Sequence, residues 1–234
     1  MTQLKRMAAP KFWPIRRKTK KFIVPPMPGA HPSSQSVPLG VALRDILGYA
    51  RTMEEACTIL KKGAVKVDGM KRKSKNFSVG LMDVVSVGSD SYRIIPEPKG
   101  FKFHKISGEQ SGIKLLRVRG KKTLRGKKLQ LSFHDGRTML ADNDGFRTGD
   151  VVVFDIQKKS IMDKITFAKG SMVSVVKGHS RGMTGRIEEI NVTRSSKPNE
   201  VVVSLEKKGE GRIVLPADYV FVIGRDKPVI SVSE

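Results

Sequence analysis

Two acid-free cationic runs constrain this chain more than any other feature. Between Lys5 and Lys21 there are eight Lys or Arg and no Asp or Glu. Between Arg117 and Lys128, seven of twelve residues are basic, again without an acid. Neither run has helical or strand periodicity. Like charges in such a run repel, and the run stays extended until a lattice of anions neutralises it. The imbalance reaches across the chain. Residues 1–128 hold 29 of the 45 Lys and Arg but 8 of the 22 acids, a net +21; residues 129–234 hold 16 and 14, a net +2. A surplus of this size in one half exceeds what solubility requires. It calls for a polyanion, and nucleic acid is the default, because each cation that meets a phosphate releases a condensed counterion.

Length and composition set further limits. With 234 residues and 38% hydrophobics, the chain suits two or three small domains. No apolar run approaches a membrane span. The first thirty residues are Arg-rich and acid-poor, like a transit peptide. However, Pro10, Pro14, Pro25, Pro26 and Pro28 forbid the amphipathic helix such a peptide needs. The single Cys excludes a disulfide framework and a cysteine zinc site. The expected compartment is therefore reducing and cytoplasmic.

The pattern predicts a multi-domain α+β chain in four parts. Residues 1–36 form a basic arm and a Pro/Gly/Ser-rich linker. Residues 37–91 form a small α+β domain. Pro38 sits where a helix can begin, and Leu39, Leu43, Ile46 and Leu47 follow at helical spacing. Thr52 and Glu55 form a capping box, with Met53, Ala56, Cys57 and Leu60 on one face and Gly63 as the stop. Val65 and Val67 lead into Asp68-Gly69, a hairpin signal, and a strand near residues 84–87 ends the unit. Residues 92–168 read as a central β-barrel-like domain. Leu129, Leu131 and Phe133 alternate there before Asp135-Gly136, and residues 151–156 form a buried strand. Residues 169–234 read as a small closed barrel, with short strands near 172–176, 185–190, 201–205, 212–215 and 220–222.

The candidate binding residues are cations on these parts. In the arm they are Lys5, Arg6, Lys11, Arg16, Arg17, Lys18, Lys20 and Lys21, with Trp13 as a stacking or wedging anchor. In the second part, Arg44, Lys61, Lys62, Lys71, Arg72, Lys73 and Lys75 lie on or beyond a helix–turn–strand element able to hold them at fixed spacing against phosphates. Arg117, Arg119, Lys121, Lys122, Arg125, Lys127 and Lys128 belong to a loop expected to insert between nucleic-acid helices. In the last part, Lys177, His179 and Arg181 sit on a turn whose glycines serve either barrel shape or the close approach of RNA or a protein.

Pro38-Leu39, Arg44-Asp45, the helix to Leu60 and then Gly63-Ala64-Val65-Lys66-Val67-Asp68-Gly69 resemble the S-four-type RNA-binding domain. Gly170, residues 173–176, Gly178, Arg181-Gly182 and Gly185 resemble the KOW motif, which implies an SH3-like barrel. The parts in this order resemble the small-subunit ribosomal protein family S-four-E. Leu4-Lys5-Arg6, Ala9-Pro10, Trp13, Pro28-Gly29, His31, residues 79–84, Tyr92-Arg93, Lys114-Leu115 and residues 134–137 carry that likeness. Ala30 departs from an expected Pro, and the short C-terminal end looks archaeal. The resemblance implies a structural protein on small-subunit (30S) rRNA beside neighbouring ribosomal proteins. It implies no cofactor, metal, membrane or homo-oligomer, and no enzymatic activity.

Other readings are weaker. Gly120-Lys121-Lys122-Thr123 lacks the earlier glycine of a phosphate loop, where Leu115 stands. Asp142-Asn143-Asp144-Gly145 lacks a calcium loop's alternating ligands and terminal Glu. The four His residues show no metal spacing. His134-Asp135 has no positioned nucleophile beside it. Two rival functions are an appendage of an RNA-modifying enzyme and a free RNA-binding regulator.

Overall fold

The structure is a computed structural model and describes residues 3–108, 110–141, 145–205 and 211–231. Asp142-Asn143-Asp144 lies outside the described residues, as does the side chain of Lys127. The fold is mostly β. The chain packs into two compact units, Met1–Ile95 with Lys99–Lys114, and Pro96–Pro98 with Leu115–Glu234.

In the first unit the N-terminal run is folded, which corrects the expectation of an extended arm. Leu4–Lys5 pairs antiparallel with Phe22–Ile23. Trp13 is only 2% exposed, and its indole N–H donates to the Ser36 carbonyl at 2.8 Å. The arginines of the run satisfy its own backbone. Arg6 Nε donates to the Arg16 carbonyl at 2.6 Å, and Arg17 donates to those of Ala9 and Pro10 at 2.8 and 2.7 Å. Proline brings carbonyls without N–H partners, and guanidinium donors meet that need.

Leu39–Val41 begins a helix directly after Pro38, and the helix continues as a π-turn over Ala42–Ile46. Leu39, Val41, Ala42 and Leu43 are buried. The second helix, Met53–Lys61, has the expected capping box: Glu55 N–H donates to Thr52 Oγ1 at 3.2 Å, and Thr52 N–H to Glu55 Oε2 at 3.4 Å. Ala56 and Leu60 are fully buried beneath it, as its spacing predicts. Val65–Val67 then turns through Asp68 and Gly69, both at positive φ, into Met70–Lys71. The sheet runs in the order Met70–Lys71, Val65–Val67, Val84–Val87, Asp90–Glu97, Gly100–Ile106.

A buried ionic cluster fastens this unit. Lys114 is fully buried, and its Nζ lies 2.7 Å from both Asp68 Oδ2 and Asp83 Oδ1. His31 Nε2 lies 3.0 Å from Asp83 Oδ2, which also accepts the Gly80 N–H at 2.9 Å. Burial opposes ionisation of both carboxyls. At Asp83 the charges of Lys114 and His31 outweigh burial and hold the carboxyl well below its ordinary range. Asp68 receives less help, and burial pushes it up. Arg93 is fully buried nearby and donates to the carbonyls of Gln110 and Ile113; burial lowers its pKa to about 10. Sequence spacing gave no hint that these five residues converge.

The second unit contains two five-stranded sheets. One has the order Thr138–Ala141, Leu129–Phe133, Ile113–Thr123, Val151–Asp155, Ser160–Ile165. Leu129, Leu131 and Phe133 are buried as the alternation predicts. The expected loop at 117–128 is corrected: its first half belongs to strand Ile113–Thr123, and a short turn at Arg125–Lys127 closes a hairpin onto Leu129–Phe133. The other sheet has the order Arg212–Pro216, Glu200–Leu205, Thr184–Asn191, Met172–Val175, Val220–Gly224, so its first strand in sequence lies beside its last.

Candidate nucleic-acid interface

In the first unit, the end of helix Met53–Lys61 and the hairpin after it carry the densest exposed charge. Lys61, Lys62, Lys66, Lys71, Lys73 and Lys75 are all exposed. None of the six has an ion-pair partner among the described residues. The pairing register sets Lys66 directly opposite Lys71. Two like charges across a strand pair repel, and a phosphate between them would reverse the sign of the interaction. Lys66 was missing from the sequence-based candidates, although its polar position between Val65 and Val67 marks it as facing solvent. Arg72 is half-buried, its guanidinium 4.4 Å from the centroid of the Phe77 ring. Arg44 is paired with its neighbour Asp45 at 2.7 Å.

The N-terminal run divides in two. Lys5, Lys11, Arg16, Lys18, Lys20 and Lys21 are exposed. Arg6 is buried, 3.5 Å from Asp45, and Arg17 is spent on backbone carbonyls. Trp13 is a core residue with its one donor already used, so the reading of it as a stacking anchor is corrected.

In the second unit, Arg119, Lys121, Lys122, Arg125 and Lys128 are exposed around the hairpin end, with Gly126 at φ 78° in the turn. Lys121 Nζ donates to the Phe146 carbonyl at 3.3 Å. Arg117 separates from this group. Its guanidinium donates to the Ala217 and Val220 carbonyls and pairs with Asp218 at 3.3 Å, and burial lowers its pKa. At the last turn, Lys177 is half-buried with its Nζ 5.8 Å from the Tyr219 ring centroid, His179 is exposed, and Arg181 is half-buried with its pKa lowered by burial. Gly182 sits here for a packing reason. A Cβ on it would lie 3.0 Å from Glu97 Cα and Pro98 Cδ, so its closeness serves the chain itself.

These cations form surfaces without any grouped His, Cys, Asp or Glu suited to a metal among the described residues. No described helix is long and apolar enough to cross a membrane. Residues 89–161 match the family described as Ribosomal family S4e, and residues 2–34 match the RS4NT (NUC023) domain. The small ribosomal subunit protein eS4 of Methanothermobacter thermautotrophicus is 44% identical over 232 residues, covering 97% of this chain and 94% of the relative. This chain belongs to the ribosomal family S4e. The eS4 protein of Methanocella arvoryzae is 42% identical over 97% of this S4e chain and 96% of its own length. The crystal structure of the 30S ribosomal protein S4e from Thermoplasma acidophilum superposes with a TM-score of 0.71 at 32% identity, covering 81% of this chain and 95% of that one.

Proposed function

We propose that this S4e chain is a structural rRNA-binding protein of the small ribosomal subunit, acting as a single copy on cytoplasmic ribosomes and catalysing no reaction. The observation that carries the reading is the exposed lysine surface built around the opposed Lys66 and Lys71. Such a surface opposes its own folding and is useful only against a polyanion. The names of the relatives supply the kind of polyanion and the assembly.

In the finer architecture, the N-terminal run and the α+β part after it serve as an S-four-type RNA grip, which also takes in the strands at 90–106 that the sequence division assigned to the central domain. Residues 115–168 serve as a central β domain carrying the basic hairpin, and 169–234 as a KOW-type, SH3-like barrel. Support for the barrel is the five-stranded antiparallel order in which the first strand lies beside the last. Support for a protein-facing role there is its near-neutral charge and the exposed Val192 and Val214.

Salt titration against rRNA fragments tests the reading. If about eight cations meet phosphates, log K falls with log salt with a slope of roughly −6 to −7. A slope near zero removes the polyanion. Co-sedimentation with small subunits at moderate salt separates the ribosomal reading from a free regulator, which would stay at the top of the gradient.

A further inference from the structure

A groove in the first unit combines features that a nucleotide needs. It encloses about 330 Å³. Phe22, Val24, Pro25 and Met53 supply apolar lining, and Arg44, Lys75 and Asn76 supply polar groups. Its walls are tied together by specific contacts. Met27 N–H donates to the Asn76 carbonyl at 2.7 Å, and Asn76 Nδ2 donates to the Pro25 carbonyl at 2.8 Å. Across the groove, Gly40 N–H donates to the Lys75 carbonyl at 2.9 Å. A Cβ on Gly40 would meet Met53 Sδ at 2.9 Å and Lys75 Cβ at 3.0 Å, so glycine is what lets these walls close up.

Three observations bear on what fits. First, the Phe22 ring is 44% exposed, and Lys21 Nζ stands 5.5 Å from its centroid. An exposed aromatic with a cation beside it offers a stacking surface and a phosphate counter-charge together. Second, Arg44 lies on the π-turn Ala42–Ile46, a distortion that recurs at functional sites because it redirects side chains. Third, no acid lines the groove, and the neighbouring Asp45 is neutralised by Arg44 at 2.7 Å and Arg6 at 3.5 Å. An apolar protein side chain would gain nothing from these cations. A base joined to phosphates uses the apolar wall and the cations together, beside the Asn76 amide whose Nδ2 donates to the Pro25 carbonyl.

We propose that this groove holds one unpaired RNA nucleotide, with its base stacked on Phe22 and its flanking phosphates on Lys21 and Lys75. The proposal rests on the rRNA-binding reading and adds a preference for unpaired structure over a continuous duplex.

The test uses the full chain and two RNA hairpins that differ only in a single bulged 2-aminopurine. The parent protein binds the bulged hairpin at least about fivefold more tightly, the lower end of what one base–aromatic stack contributes, and changes its fluorescence. Phe22→Ala abolishes both the preference and the fluorescence change with an unaltered salt slope, while Phe22→Tyr retains them. Lys75→Gln weakens binding to both hairpins and lowers the salt slope by about one. Equal binding of the two hairpins by the parent, as expected if a protein side chain fills the groove, overturns the proposal. So does a preference that survives Phe22→Ala. Either result leaves RNA binding standing, whereas failure to bind both hairpins at low salt removes the RNA reading itself.

Discussion

Residues 5–21 and 117–128 are both rich in cations and free of acids, yet the first run packs while most of the second stays exposed. Apolar content explains the difference. The first run contains Phe12, Trp13 and Ile15, with Ile23 just beyond. Trp13 and Ile23 are buried, and the Phe12 ring meets Phe101 edge to face at a centroid distance of 5.2 Å. Beyond Val118, the second run has only Leu124, itself 36% exposed. A cationic run therefore packs into a core when it carries apolar anchors and a supply of carbonyls for its arginines. Without anchors, it is held by strand pairing, with most of its side chains left outward.

Replacing the anchor should have the largest effect. Trp13→Ala should cost about 3–5 kcal/mol in chemical denaturation, through lost burial and the lost bond to Ser36. It should also open residues 1–36 to limited proteolysis. Cleavage at the parent's rate would mean that the two runs are alike after all.

A change of similar or slightly smaller size lies outside both runs. Lys114→Met leaves Asp68 and Asp83 buried without their shared cation and should cost about 3–5 kcal/mol. Asp83 titrates below its ordinary value when folded. On acidification the unfolded chain therefore takes up that proton first. The contribution of Asp83 is complete above about pH 4 and is lost as the pH falls further. In urea melts at a series of pH values, Asp83→Asn should flatten this acid limb. Asp68, whose pKa is raised, works in the opposite sense, so Asp68→Asn should not flatten it.

The exposed run should show the reverse profile. Changing Lys122, Arg125, Lys127 and Lys128 together to Gln should leave the melting temperature unchanged or slightly raised, because self-repulsion is relieved. The salt slope for rRNA should flatten by roughly 3. A marked fall in melting temperature would make this hairpin end a folding element like the first run. The smallest effect is expected at Lys66→Gln. Removing the repulsion with Lys71 should stabilise the protein by a few tenths of a kcal/mol while weakening RNA binding. Destabilisation by this variant would show that the pair is not in repulsion.

Local signals made much of this fold legible. Thr52 and Glu55 announced a helix start, Asp68-Gly69 a hairpin, and the alternation at 129–133 a buried strand face. Each depends on neighbours in sequence. Other features depend on partners far along the chain. The burial of Trp13 needs Ser36, the use of Arg117 needs residues 217–220, and the convergence of His31, Asp83 and Lys114 needs the tertiary fold. Most of the lysines that charge density singled out are exposed. Arg6, Arg17 and Arg117 are instead engaged within the fold, because a guanidinium can satisfy several carbonyls at once, whereas a lysine more often keeps its compact charge in water. The π-turn that carries Arg44 left no mark in the helical spacing of residues 39–47.

The sharing of Lys114 between two buried aspartates sets an order in time. During synthesis, Asp68 and Asp83 leave the exit tunnel well before Lys114 does. At about 5–20 residues per second, the chain waits roughly 2–6 s between residue 83 and residue 114. Through that interval both carboxylates lack the cation they share, and Asp83 has only His31 beside it. Burial of the two carboxylates as an ionic cluster should therefore be completed only once Lys114 has been made.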